Sequence, residues 1–382
     1  MALLWYALVP ITGAFVVRRS WRRFRRRFDD LRLAPILDYR ASRGLSGEGG
    51  DFRFFGGFES VTDGKTLWVR SESLTVPVEL SAARIYLLPA AEDGSVRYDQ
   101  DSGQPERIRW DRVAALSEGA QVFVGGRAKP EAGRVRFQST DEEPLLVILY
   151  DGDERSMLER TVRAGRDRNE YWNPATPYAL ALGVFAELLV ALWYSPRPAF
   201  RPTAAAAFAA AFGPLLPILP PGLLLTSLYR RFWRHARANR AFRDLVLLPL
   251  RHLSDGATEI VLGDGERYGR VVLRDGKRRL AEAGIPVLPP GRPMRDASYW
   301  VCFGALGTAA DRPDPALPRE AALPTEPKDP AALFAAMNGE PLDLSRAFKL
   351  RARLLEIAAS TALVAAVGIN AVMAYAVIRF FR

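Results

Sequence analysis

Long stretches without charge constrain this chain more than any other feature. Residues 357–378, IAASTALVAAVGINAVMAYAVI, and 203–228, TAAAAFAAAFGPLLPILPPGLLLTSL, carry none. Residues 1–17, MALLWYALVPITGAFVV, carry none either, and 175–194, ATPYALALGVFAELLVALWY, only Glu187. Each is close to or above the roughly 17 to 20 residues needed to cross a bilayer. They predict four transmembrane helices. The first has its basic residues after the apolar run, beginning at Arg18, so it reads as a signal anchor and not a cleaved peptide. The third is the least regular, because Pro214, Pro217, Pro220 and Pro221 would break the helix by removing hydrogen bonds.

The flanks set the orientation. Eight arginines lie between 18 and 32, six between 230 and 243, and four basic residues between 346 and 353. The opposite ends offer only Arg197, Arg201, Arg379 and Arg382. By the positive-inside rule this predicts a multi-pass cell (inner) membrane protein. Its large regions, 36–172 and 251–350, would be cytoplasmic, with both termini outside.

A net charge of +10 also suits an anionic partner. Only five of the 53 basic residues are lysine, a compositional bias that lowers the weight of any single arginine. In the segment 18–35, Val17, Trp21, Phe24, Phe28 and Leu31 recur at helical spacing. This predicts an amphipathic helix at the membrane interface, with Trp21, Phe24 and Phe28 in the acyl boundary and Arg18, Arg19 and Arg22 among anionic lipid phosphates. Nucleic acid is the less favoured partner, because a topology anchor explains the same residues.

The block has an echo. RRSWR at 18–22 matches RRFWR at 230–234, and FDDLRLAP at 28–35 matches FRDLVLLP at 242–249. Residues 229–250, with Arg230, Arg231, Trp233 and Arg234 at the interface, are thus expected to repeat 18–35. The predicted class is an integral membrane α + β protein, in two parallel units of span, soluble region and span.

The first region reads as β-rich. FRFFGGFESV, TLWVRS, LTVPVEL, ARIYLLP, QVFVGGRA, RVRFQS and PLLVILY are short runs rich in β-branched and aromatic residues, several separated by turn signals. A closing helix, SMLERTVRAGRDR, carries Met157, Leu158, Thr161 and Val162 on one stripe, with Asp153 or Ser156 as its cap. Seven strands and a helix suggest a small OB-like barrel. The second region predicts a hairpin at EIVLGDGERYGRVVLRDG, short helices at KRRLAEAG and AALFAAMN, a strand at SYWVCFGAL, and a proline-rich linker at 308–330.

The run LSEGAQVFVGGRA, a glycine-containing hairpin, and PLLVILYDGDERSMLER leading into a span resembles the membrane-flanked OB-type domains of the NfeD and GIDE groups, over about residues 55–195. The resemblance implies a fold. The zinc-binding RING of the GIDE ligases is not implied, because Cys302 is the one cysteine. That count also excludes an internal disulfide and a CxxC pair. His235 and His252, the only histidines, make a histidine-rich metal site unexpected.

Few residues suggest chemistry. GDGERYG, 263–269, is followed by a strand and not a helix, so it reads as a turn and not a phosphate loop. YDGDE, 150–154, reads as a turn and acidic helix start before a cation site. No hydrolase, zincin, Walker or kinase signature occurs, and neither catalytic residues, metal nor cofactor are expected. Glu187, in mid-span, is expected to hydrogen-bond Asn370 as interhelical glue, with a proton or ion path as the alternative. Ala358, Ala362, Ala366, Asn370 and Ala374 form a small-residue row suited to close helix contact. The expected function is a non-enzymatic membrane scaffold or assembly subunit binding membrane or cytoplasmic proteins, with self-association open. The alternative is a small transporter component using Glu187 and the broken span.

Overall fold

The computed structural model describes residues 1–45, 49–89, 105–115, 119–131, 133–166, 170–253, 257–263, 265–274, 277–288, 299–308 and 323–380. The chain divides into two compact units. A helical unit comprises Met1–Arg22, Gly165–Ala241 and Ala347–Arg382, and a sheet unit comprises Arg23–Ala164 and Phe242–Arg346.

In the helical unit, three helical stretches are long and apolar enough to cross a membrane: Thr176–Tyr194, Pro198–Ile218 and Pro341–Ala376. The N-terminal segment is helical too, with a π turn at Leu4–Leu8 running into α1, Val9–Leu31. The second expected span is α4, Thr176–Tyr194, and the fourth belongs to the long α8, Pro341–Phe380. The third expected span, 203–228, is not one helix. It divides into α5 (Arg201–Ala211), a 3-10 turn (Gly213–Ile218) and the start of α6 (Gly222–His252). Pro214 sits in the first turn of the 3-10 segment and Pro217 inside it. Pro220 and Pro221, which donate no backbone hydrogen bond, lie between the two helices.

In the sheet unit, all seven expected runs form strands. These are β1 (Gly50–Thr62), β2 (Thr66–Arg70), β3 (Thr75–Glu79), β4 (Arg84–Leu87), β6 (Gln121–Glu131), β7 (Arg134–Phe137) and β8 (Leu146–Tyr150). An eighth, β5 (Glu106–Ile108), pairs with β4. The pairings β1–β2, β2–β3, β3–β7, β7–β6 and β6–β1 close a five-stranded ring. The closure is parallel and narrow, a single pairing of Val78 with Phe137. Alternation fills the ring: Leu67, Val69, Val76, Val78, Val122, Val124 and Phe137 are buried in one core.

Every residue of β8 is buried, because both its faces are covered. Val147 and Leu149 join the barrel core. The outer face of the same sheet receives α1: Phe28 meets Phe123 at 5.6 Å and Phe24 meets Tyr86 at 4.3 Å between ring centroids. Gly125 permits the approach, since a Cβ there would lie 3.0 Å from Leu31. The closing helix α3 (Glu154–Arg163) buries Met157, Leu158, Thr161 and Val162. Asp153 holds its N-cap position without a side-chain cap bond.

The second region is an open five-stranded sheet, ordered β11-β13-β12-β10-β9. Its strands are β9 (Glu259–Val261), β10 (Glu266–Leu273), β11 (Val287–Leu288), β12 (Trp300–Thr308) and β13 (Ala335–Met337). The expected hairpin is β9–β10, and KRRLAE forms the short helix α7, Lys277–Glu282. Residues 331–338 were expected to be helical. Instead β13 occupies a fully buried slot between β11 and β12. There small side chains fit between neighbouring strands, and burial overrides alanine's helical preference. The expected linker 308–330 lies mainly outside the described residues, but its end is anchored, as Thr325 pairs with Ala305.

The two echo segments diverge. Phe28 and Leu31 are buried, as are Phe242 and Leu245. However, α1 stops at Leu31 while α6 runs on to His252, and a closed ring follows one whereas an open sheet follows the other.

Candidate functional site

Within the helical unit, α4 buries Thr176, Ala179, Gly183, Glu187 and Ala191. Glu187 therefore stands in a small-residue row at i, i+4 spacing, and α5 buries Ala204, Ala207 and Ala211. Large apolar side chains turn outward instead, among them Leu182, Phe185, Leu192, Leu224, Val364 and Val372. This arrangement, small inside and large outside, suits helices packed in lipid.

The expected Glu187–Asn370 bond is not formed. The Asn370 amide donates instead to the carbonyls of Leu216 and Leu219, at 2.6 and 2.7 Å. The reason lies in the sequence of the break. In a continuous helix Leu216 and Pro217 would accept from residues 220 and 221, and both are proline. Asn370 supplies the donor for Leu216, and the Thr226 hydroxyl supplies one for Pro217 at 2.5 Å. Gly222 makes room, because a Cβ there would lie 2.9 Å from the Ala366 carbonyl. The alanine row is also shorter than expected. Ala362, Ala366 and Asn370 are buried, but Ala358 is only half-buried and Ala374 is exposed, with Ala359 taking the fully buried place.

Three helices change from apolar to basic at one level. Glu356 on α8 accepts from Arg237 and Arg240 of α6, with Arg240 Nη2 at 2.9 Å from Oε2. Arg18 of α1 lies near enough to act on the same carboxylate. Arg237 also stacks over Trp233, 4.3 Å from its ring centroid. Beside this level Tyr229 packs against Ala359 and Ala362, with Tyr171, Trp172 and Trp233 around it. Arg18, Arg19, Arg22, Arg230, Arg231 and Arg234 are exposed. The aromatic half of the interface expectation is corrected. Trp21, Phe24 and Phe28 are 7%, 3% and 1% exposed, so these rings face protein and not acyl chains. Trp21 closes over Gly165, where a Cβ would collide with its ring.

In the sheet unit the sequence reading missed a buried ionic cluster. Arg53 on β1 forms a two-pronged pair with Asp329, at 2.7 and 2.5 Å, and also donates to the Ala34 carbonyl. Asp329 in turn accepts from the Ala331 amide. Arg32, fully buried, donates to the Leu248 carbonyl and to His252 Nε2, at 3.3 and 2.7 Å. Its charge lies beyond the last turn of α1 and near that of α6, where a cation is favoured. Tyr268 lies tilted against His252, 5.5 Å between ring centroids, and donates to the Leu333 carbonyl. Burial, and then the Arg32 charge, push the His252 pKa down to about 4, against the pull of Asp329. Burial lowers Arg32 to about 10, so it stays charged at neutral pH. The segment around Asp329 is held from both sheets. Arg155 of α3 pairs with Glu326 at 2.7 Å, and Glu266 of β10 accepts from the Lys328 amide at 2.8 Å.

The remaining sequence candidates have structural places. Asp151 pairs with Arg160 at 2.8 Å. Burial raises the Glu154 pKa, as do Asp153 and Glu72. Among the described residues no group of three or more His, Cys, Asp or Glu is placed to hold a metal. No family model, curated protein or solved structure matches the chain.

Proposed function

We propose that this is an integral inner-membrane protein that acts as a non-enzymatic scaffold or as a subunit of a larger membrane assembly. Residues 1–17 join the three apolar stretches as a fourth span, the basic ends mark the cytoplasmic side, and partners dock on the sheet unit. The observation that carries this reading is the common level at Glu356, where α1, α6 and α8 each pass from apolar to arginine-rich sequence. Such a level matches a membrane–water boundary.

Two further features support it. The five-stranded ring is compatible with an OB-type barrel, a fold built to present a surface. The polar residues beside the proline break satisfy backbone carbonyls, which favours packing over permeation. The test is extraction of the tagged full chain in mild detergent, followed by affinity purification, sizing and mass spectrometry. Stoichiometric co-purifying proteins are expected. A homo-oligomer with nothing else attached would overturn the assembly reading.

A further inference from the structure

The arginines at the Glu356 level exceed what the protein itself neutralises. Arg237 and Arg240 take the carboxylate. Arg18, Arg19, Arg22, Arg230, Arg231, Arg234, Arg351 and Arg353 are exposed, and among the described residues none of them forms an ion pair. Arg234 lies one turn from Arg237, Arg353 one turn from Glu356, and Arg18 close enough to act on Glu356. Because α6 and α8 run in opposite senses here, Arg234 lies one turn on the apolar side of the Glu356 level and Arg353 one turn beyond it, with Arg18 near the level itself. Leu223, Leu224 and Leu228, and beyond Glu356 Ile357 and Val364, are exposed on the apolar side of the same helices. A ligand fitting both surfaces carries an anionic head and an acyl tail.

We propose that the helical unit holds an anionic phospholipid here, its phosphate at the Glu356 level, drawn by the exposed Arg18, Arg234 and Arg353 around that level, with Arg230 one turn nearer the acyl chains. The lipid completes a charge balance that the protein leaves open, and its tails cover the outward leucines. The proposal rests on the reading that the helical unit spans a membrane.

The experiment uses the purified full chain in uncharged detergent, with dioleoylphosphatidylglycerol and dioleoylphosphatidylcholine as probes. Native mass spectrometry and thermal unfolding are the readouts. Phosphatidylglycerol is expected to leave a retained adduct and raise the midpoint, and phosphatidylcholine to do neither. The triple variant Arg230→Gln/Arg234→Gln/Arg353→Gln should bind phosphatidylglycerol about a hundredfold more weakly, with unchanged unfolding in detergent alone. Arg197→Gln/Arg201→Gln, at the other end of the spans, should bind normally. Equal retention of both lipids, or full binding by the triple variant, would overturn the proposal. A DNA oligonucleotide displacing the lipid at physiological salt would overturn it too, assigning the arginines to nucleic acid. Alkaline carbonate washing of membranes separates the two readings. Release of the chain sinks the membrane reading itself, whereas retention without lipid selectivity sinks only the lipid site.

Discussion

Arg53 and Asp329 show how much one buried pair can decide. Both are nearly inaccessible, so removing either leaves the other charge buried and unpaired, which costs about 3–5 kcal/mol. Arg53→Met and Asp329→Leu should each lower the unfolding free energy of the purified chain by that amount, read from denaturant titrations. The double variant should be less destabilised than either single one, because no charge is then stranded. A double variant losing the sum of the singles would contradict the pairing. His252 adds a pH signature. Unfolded, it takes a proton near pH 6.5; folded, only near about 4. Between these values the unfolded chain binds more protons, so stability falls as pH drops from 6.5 to 4 and flattens below. The fall is about 3 kcal/mol for this group. Denaturant titrations across that window should show it, and His252→Gln should lose it. Neither Arg53 nor Asp329 stood out beforehand, and His252 did so only by the rarity of histidine. In a chain where nearly every cation is arginine, a buried one looks like any other, and its partner lies 276 positions away.

At the scale of elements, what the sequence revealed followed local periodicity. Alternation placed seven strands and a 3.6-residue stripe placed α3, because each pattern reports burial along a single element. The same stripe in α1 was visible in Trp21, Phe24, Phe28 and Leu31, but not what it faced. An apolar stripe packs equally well on lipid or on a sheet, and Phe123, Tyr86 and Gly125 decided the matter from distant positions. The proline break was legible; its repair was not. Asn370 and Thr226 should therefore matter more than their neutral side chains suggest. Asn370→Ala leaves the Leu216 carbonyl without its donor, at a cost of about 1–2 kcal/mol. Thr226→Val should act similarly through Pro217. Unfolding in mixed micelles with rising dodecyl sulfate measures both. Wild-type resistance in each variant would show that the break needs no such support.

For the whole molecule, the proposed function requires helices embedded in a membrane and the sheet unit on its cytoplasmic side. Small residues inside, large apolar residues outside and a single basic level support the proposal that the helices are embedded. Cys302 is buried in β12, so single reporter cysteines can be introduced in a Cys302→Ala background. A membrane-impermeant maleimide applied to intact cells or spheroplasts tests the arrangement most directly, with one reporter at Arg197 and another at Arg346. Labelling at 197 from outside, and at 346 only after permeabilisation, is the predicted result. Labelling of both from outside, or at 346 alone, would contradict the account.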